Sequence, residues 1–151
     1  MRQRIHVQRE SRVPRLPSER SLRGWARAAL ATGATAGELC LRVVDEDEMR
    51  ALNARYRGRD YATNVLSFPA ELPAGAPVAL LGDIVLCAPV VEREACAQGK
   101  PGRAHWAHLV VHGTLHLLGH DHERPRDARR MESLEREILG AIGIPDPYEP
   151  R

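Results

Sequence analysis

Aromatic residues are scarce in this sequence: Phe, Tyr and Trp make up 4% of its 151 residues, against an apolar content of 43%. The core must therefore be filled by Leu, Val, Ile and Ala rather than by stacked rings. No run of about 18 apolar residues exists, which excludes a membrane-spanning helix. Three cysteines, Cys40, Cys87 and Cys96, are odd in number and form no CxxC pair. They read as reduced, buried thiols of a cytoplasmic protein, not as a disulfide framework. The first residues, Met1 to His6, lead into more arginine instead of an apolar stretch, so no secretory signal is expected. Lysine is nearly missing too: Lys100 stands alone among 22 basic residues, the mark of a GC-rich genome more than of a function. A net charge of +2 with 28% charged residues excludes a disordered polyelectrolyte.

What is present is enough for a core. The length predicts one domain spanning residues 1–151, with 142–151 an irregular, proline-rich tail. Residues 1–27 carry eight arginines against Glu10 and Glu19. That basic end suits phosphate binding, or equally a solvated helix face.

The elements follow from periodicity. Ile5 to Gln8 alternates as a strand, and Ser18 to Ala31 puts Leu22, Trp25, Ala26, Ala29 and Leu30 on one helical stripe. Leu39 to Val44 is a strand. Asp45 to Glu48 then supplies the carboxylates that favour the start of a helix reaching to about Tyr56. Val65 to Phe68, stopped by Pro69, and Gly82 to Cys87 are further strands, separated by a loop over 70–80 that contains Pro73, Gly75 and Pro77. Helices are predicted from Pro89, over about 102–118 and over about 125–141. In the last of them, Arg129, Arg130, Glu132, Glu135, Arg136 and Glu137 read as a salt-bridged solvent face. Strands interleaved with helices predict a layered α/β domain.

Six of the seven histidines lie between His105 and His122. His112 and His116 are four apart, hence on one helix face, with Cβ atoms roughly 5–6 Å apart. Gly119 falls where a left-handed turn ends a helix, and the turn brings His122 back as a third nitrogen donor. Three ligands leave a fourth position open, as catalytic zinc sites do. A set of His108, His112 and His116 would have to cover about 11–12 Å of straight helix and cannot converge on one ion. His105 and His108 are therefore expected behind the ligands or in packing.

The spacing reproduces the metzincin pattern H-E-x-x-H-x-x-G-x-x-H except at one position. Where a metallopeptidase has its glutamate base stands Gly113, which cannot take a proton. Such a site suits a phosphodiester, with a guanidinium to hold the non-bridging oxygens. Arg55, Arg57 and Arg59, read as lying in the loop before the Val65 strand, are the candidates.

These segments together carry a family likeness over roughly residues 40–140: Tyr56-Arg57-Gly58-Arg59-Asp60, Thr63 to Pro69, Leu81 to Ile84, and His112 through His122 to Met131 and Glu135. The sequence resembles the YbeY family of bacterial rRNA maturation factors, described as metal-dependent endoribonucleases. The resemblance implies an α+β fold, with a small mixed four-stranded sheet, about five to six helices and the metal site on a central helix and the following turn. It implies one Zn2+ per chain held by His112, His116 and His122. Catalytic roles fall to Arg57, His112 and His116, and substrate binding to Arg57 and Arg59. The implied activity is single-strand-specific endoribonuclease action in 16S rRNA 3′-end maturation, rRNA processing and ribosome quality control. The implied partners are small-subunit ribosomal RNA, ribosomal particles and a small-subunit ribosomal protein. His120 departs from the family, which often has tyrosine there. An imidazole at that position can hydrogen-bond the metal water, shuttle a proton or face solvent. Asp121 is a candidate to orient a ligand histidine.

Two further readings compete. One is a non-catalytic ribosome assembly factor whose zinc is structural, favoured if His120 closes the fourth position. The other is a metzincin-type metallopeptidase, which Gly113 opposes.

Overall fold

The structure, a computed structural model, describes residues 3–33, 37–70 and 80–149. The predicted loop with Pro73, Gly75 and Pro77 lies outside them, apart from its two ends. Among the described residues nine elements follow one another: β1 (Gln3–Arg9), α1 (Glu19–Leu30), β2 (Gly37–Val44), α2 (Glu46–Arg57), β3 (Val65–Pro69), β4 (Leu80–Cys87), α3 (Ala88–Ala97), α4 (Gly102–Leu117) and α5 (Pro125–Ala141). The fold is α+β, with a mixed four-stranded sheet and five helices among the described residues.

The sheet order is β1-β2-β4-β3. β1 and β4 both run parallel to β2, while β3 pairs antiparallel with β4 at the edge. Pro69 closes this edge strand, where a missing N–H costs least.

Alternation along the strands sends side chains to two faces. Ile5, Leu39, Leu41, Val43, Ile84 and Leu86 meet the buried stripes of α1 and α4 in the main core. Leu66, Val85 and Cys87 form a smaller cluster with Met49 of α2 on the other face. Helix α4 is the centre of the molecule, packed against α1, α3, α5 and strands β3 and β4. That explains why its sequence is apolar nearly all round.

Several local expectations change. Asp45 stands at the N-cap of α2 but makes no cap hydrogen bond. Its carboxylate instead accepts from the Ser11 hydroxyl and the Arg12 N–H, tying the β1–α1 connection to β2. Arg55 and Arg57 belong to the last turn of α2 rather than to a loop. Of the three free cysteines, Cys87 is buried, Cys40 half-buried and Cys96 exposed, so uniform burial does not hold. Glu135 is not on the solvent face of α5: its exposure is 0%. It shares the stripe of Met131, Ile138 and Leu139, because its position in the helix period outweighs its charge.

Candidate metal centre

Helix α4 carries His112 and His116 on the stripe that faces away from the main core, one turn apart. The helix then stops in a hydrogen-bonded glycine turn. Gly119 has φ +99°, its N–H donates to the His116 carbonyl at 3.0 Å, and the His120 N–H donates to the Leu115 carbonyl at 3.1 Å. This paired arrangement satisfies the last carbonyls of α4 and reverses the chain. The reversal brings the His122 ring within 5.0 Å of the His116 ring and 5.4 Å of the His112 ring, centroid to centroid. One nitrogen from each of the three histidines lies within 4.8 Å of the others.

Glu135 Oε2 lies 2.7 Å from His112 Nδ1, and a carboxylate only accepts, so His112 carries its proton on Nδ1 and offers a lone pair at Nε2. His116 hydrogen-bonds the backbone of His120, which favours a proton on that side of its ring. Burial, followed by the repulsion His112 and His122 exert when protonated, pushes the His116 pKa down to about 4, so it is neutral at physiological pH. His112 Nε2 and His116 Nε2 face each other at 3.1 Å. Two nitrogens about 2.0–2.1 Å from a shared tetrahedral ion are separated by about 3.3 Å. The donor set therefore fits a divalent transition-metal ion. Among the described residues, no fourth histidine, cysteine or carboxylate joins the three.

Behind the ligands stands Glu135, which sequence reasoning missed as a support. Burial alone would raise its pKa, but hydrogen bonds from His108, His112 and Tyr148 outweigh it and hold the carboxyl at about 2. His108 Nε2 sits 3.0 Å from Glu135 Oε1, so His108 reaches the centre only through Glu135. The signal that could have found Glu135 is its place four residues from Met131 and Leu139 on an apolar stripe. Asp121 is engaged elsewhere, its Oδ1 accepting from the Glu123 N–H at 3.3 Å. His120 lines a different cavity, with Asp121, Asp127 and Arg130. Its backbone hydrogen-bonds His116, a task that any side chain at 120 permits.

The three histidines open onto a cavity of about 400 Å3 that is also lined by Arg57, Asn64, Val65, Ser67 and Pro69. The left-handed Gly58 ends α2 and fixes where Arg57 leaves it. Among the described residues Arg57 has no carboxylate partner, whereas Arg50 is paired with Asp60 and Arg93 with Glu46. Arg59 stands outside the cavity lining, with a guanidinium N–H 3.5 Å from the Tyr61 hydroxyl. Asn64 spends its amide on holding the strand, accepting from the Val65 N–H at 2.6 Å and donating to Glu94 at 3.0 Å. His105, in turn, lies 3.0 Å from the same Glu94.

Gly113 faces the sheet. A Cβ there would stand 2.9 Å from Ile84 Cγ2 and 3.2 Å from Ser67 Oγ. The close approach of α4 to β3 and β4 thus leaves no room for the peptidase glutamate.

Fold and site together define a class: an α+β domain whose helix and following turn bring together three histidines that could hold a metal ion, beside an arginine with no carboxylate partner and with no carboxylate lining the cavity among the described residues. A family model described as Endoribonuclease YbeY matches residues 6–143. A relative from Xanthomonas axonopodis pv. citri, named Endoribonuclease YbeY, is 58% identical over 151 residues, covering 96% of this chain and 94% of its own. Another of that name, from Alkalilimnicola ehrlichii, is 61% identical over 137 residues, covering 88% of this chain and 82% of its own. The chain belongs to the YbeY family of endoribonucleases. The solution structure of TM1509 from Thermotoga maritima superposes with a TM-score of 0.60 at 23% identity, covering 96% of this chain and 99% of that one, and shares the fold.

Proposed function

We propose that the chain, acting as one domain over residues 1–151, cuts single-stranded RNA with one zinc ion held by His112, His116 and His122. The observation that carries this reading is the pair of Nε2 lone pairs facing at 3.1 Å in a cavity shared with Arg57, which has no carboxylate partner among the described residues. When bound, zinc supplies Lewis acidity, polarising a phosphoryl oxygen and lowering the pKa of water.

The chain's own groups supply the rest. The Arg57 guanidinium binds the non-bridging oxygens of the scissile phosphate and stabilises the charge that builds there, a bidentate task that lysine performs poorly. Glu135 holds the His112 proton on Nδ1, and the backbone at His120 orients His116. Arg59, beyond the cavity, meets a neighbouring phosphate of the same strand. The phosphate brings its own charge to the electrophile, so no carboxylate base is required at position 113.

The finer reading is maturation of the 16S rRNA 3′ end, with wider roles in rRNA processing and ribosome quality control, in the cytoplasm. A net charge of +2 supplies little non-specific affinity for RNA. Delivery by a ribosomal particle, through a small-subunit ribosomal protein, accounts for substrate capture. No described helix is long and apolar enough to cross a membrane.

The test is cleavage of an oligonucleotide carrying the 16S 3′ end, single-stranded and annealed to its complement, by zinc-loaded protein. The single strand is cut and the duplex spared. Equal cutting of both contradicts the strand specificity, and cutting of neither contradicts the activity.

A further inference from the structure

Residues 144–148, expected only as an irregular tail, are fastened to the body of the protein at several points. The Ile144 N–H donates to the Leu139 carbonyl at 2.9 Å, and Arg136 Nε holds Asp146 Oδ1 at 3.2 Å. Lys100 Nζ donates to the Pro147 carbonyl at 3.0 Å. Asp146 also accepts from the Tyr148 N–H at 2.8 Å, and the Arg136 guanidinium lies 5.1 Å over the Tyr148 ring. These ties aim the Tyr148 hydroxyl inward, where it donates to Oε1 of the fully buried Glu135. Beneath the strap, a cavity of about 10 Å3 borders His105 and His108, room for about one water. The strap therefore keeps bulk solvent from the back of the metal centre.

We infer that Tyr148 is a positioning residue for the metal centre, acting through Glu135 on His112. Resting on the three-histidine reading, this gives the C-terminal strap a task in the reaction. Glu135 Oε2 must accept from His112 Nδ1, while among the described residues Oε1 is otherwise satisfied by His108 alone. The Tyr148 donor fixes the carboxylate plane and satisfies its remaining acceptor capacity without a competing charge. Free to rotate, that carboxylate would hold the His112 ring less firmly and its Nε2 would converge less well with those of His116 and His122. Outer partners of metal-ligating histidines change metal affinity by about 10–100-fold when mutated.

The experiment is a zinc titration against a competing chelator for wild type, Tyr148→Phe, Glu135→Gln and the double variant, with apo melting temperatures measured alongside. Tyr148→Phe keeps the ring under Arg136 and removes only the hydroxyl. It binds zinc about tenfold more weakly, the low end of that range, and its apo melting temperature falls modestly because a buried carboxylate loses a donor. The double variant is no weaker than Glu135→Gln alone, because the hydroxyl works through the carboxylate. Unchanged affinity in Tyr148→Phe, additive losses in the double variant, or a loss in Tyr148→Phe larger than that of Glu135→Gln each overturns the inference. A wild type that binds no zinc overturns the metal reading itself, a result distinct from all three.

Discussion

Gly113 lies so close to Ile84 that a Cβ on it would come within 2.9 Å of the Ile84 Cγ2 methyl. Ile84 is fully buried on the strand next to the edge and cannot swing away. The position that distinguishes this centre from a metallopeptidase is thus set by packing as well as by chemistry. Gly113→Ala gains about 0.5–1 kcal/mol of helix propensity. It loses about 1–3 kcal/mol to overpacking. A net loss is expected in urea denaturation, larger for Gly113→Glu, and neither variant acquires peptidase activity.

Arg57→Ala leaves the metal in place and removes the phosphate clamp. Arg57 is exposed, so the unfolding free energy stays within about 0.5 kcal/mol of wild type. Cleavage falls by about 10²–10³-fold in kcat, the usual cost of losing one transition-state charge stabiliser. Arg57→Lys recovers only part of it, since an ammonium lacks the planar fork. Single-turnover cleavage with metal analysis of each preparation checks this.

The pH dependence of the apo protein has a definite sign. His116 is held at about 4 in the folded chain, below its ordinary 6.5. The unfolded chain therefore binds the proton first, and stability present above pH 6.5 is lost as pH falls toward 4. Between pH 7 and pH 5 the apo wild type loses more melting temperature than His116→Gln does. The Glu135 contribution, whose folded pKa is about 2 against an ordinary 4.5, is lost only below that window.

His120→Tyr leaves zinc affinity and cleavage unchanged, because His120 lines a separate cavity and meets His116 through its backbone. Isothermal titration of zinc into the two proteins checks this. A weaker His120→Tyr variant would place the ring in the centre.

Much of the centre was legible because it depends on local geometry. His112 and His116 are one turn apart, and Gly119 is the residue a left-handed helix end requires, so convergence of His122 follows from spacing. The strands and helices were readable for the same reason: α5 runs from Pro125 to Ala141, as its periodicity indicated. The support behind the ligands was not legible, because it depends on which helix lies across α4. Glu135 sits among arginines and glutamates that do face solvent, and only the docking of α5 turns it inward. Tyr148 was hidden for a related reason. Its segment has no period, and its order comes from Arg136 and Lys100, which are distant in sequence. Asp45 followed the opposite course: a sound capping residue locally, it is drawn off by Ser11 from another part of the chain.

The most direct measurement is cleavage of a 16S rRNA fragment by zinc-loaded wild type, His116→Ala and Arg57→Ala, with metal content determined for all three. The account predicts that wild type holds one zinc and cuts, that His116→Ala loses both metal and cutting, and that Arg57→Ala holds the metal but barely cuts. Equal cutting by all three would contradict it, since the activity would then belong to neither the histidine centre nor the arginine beside it.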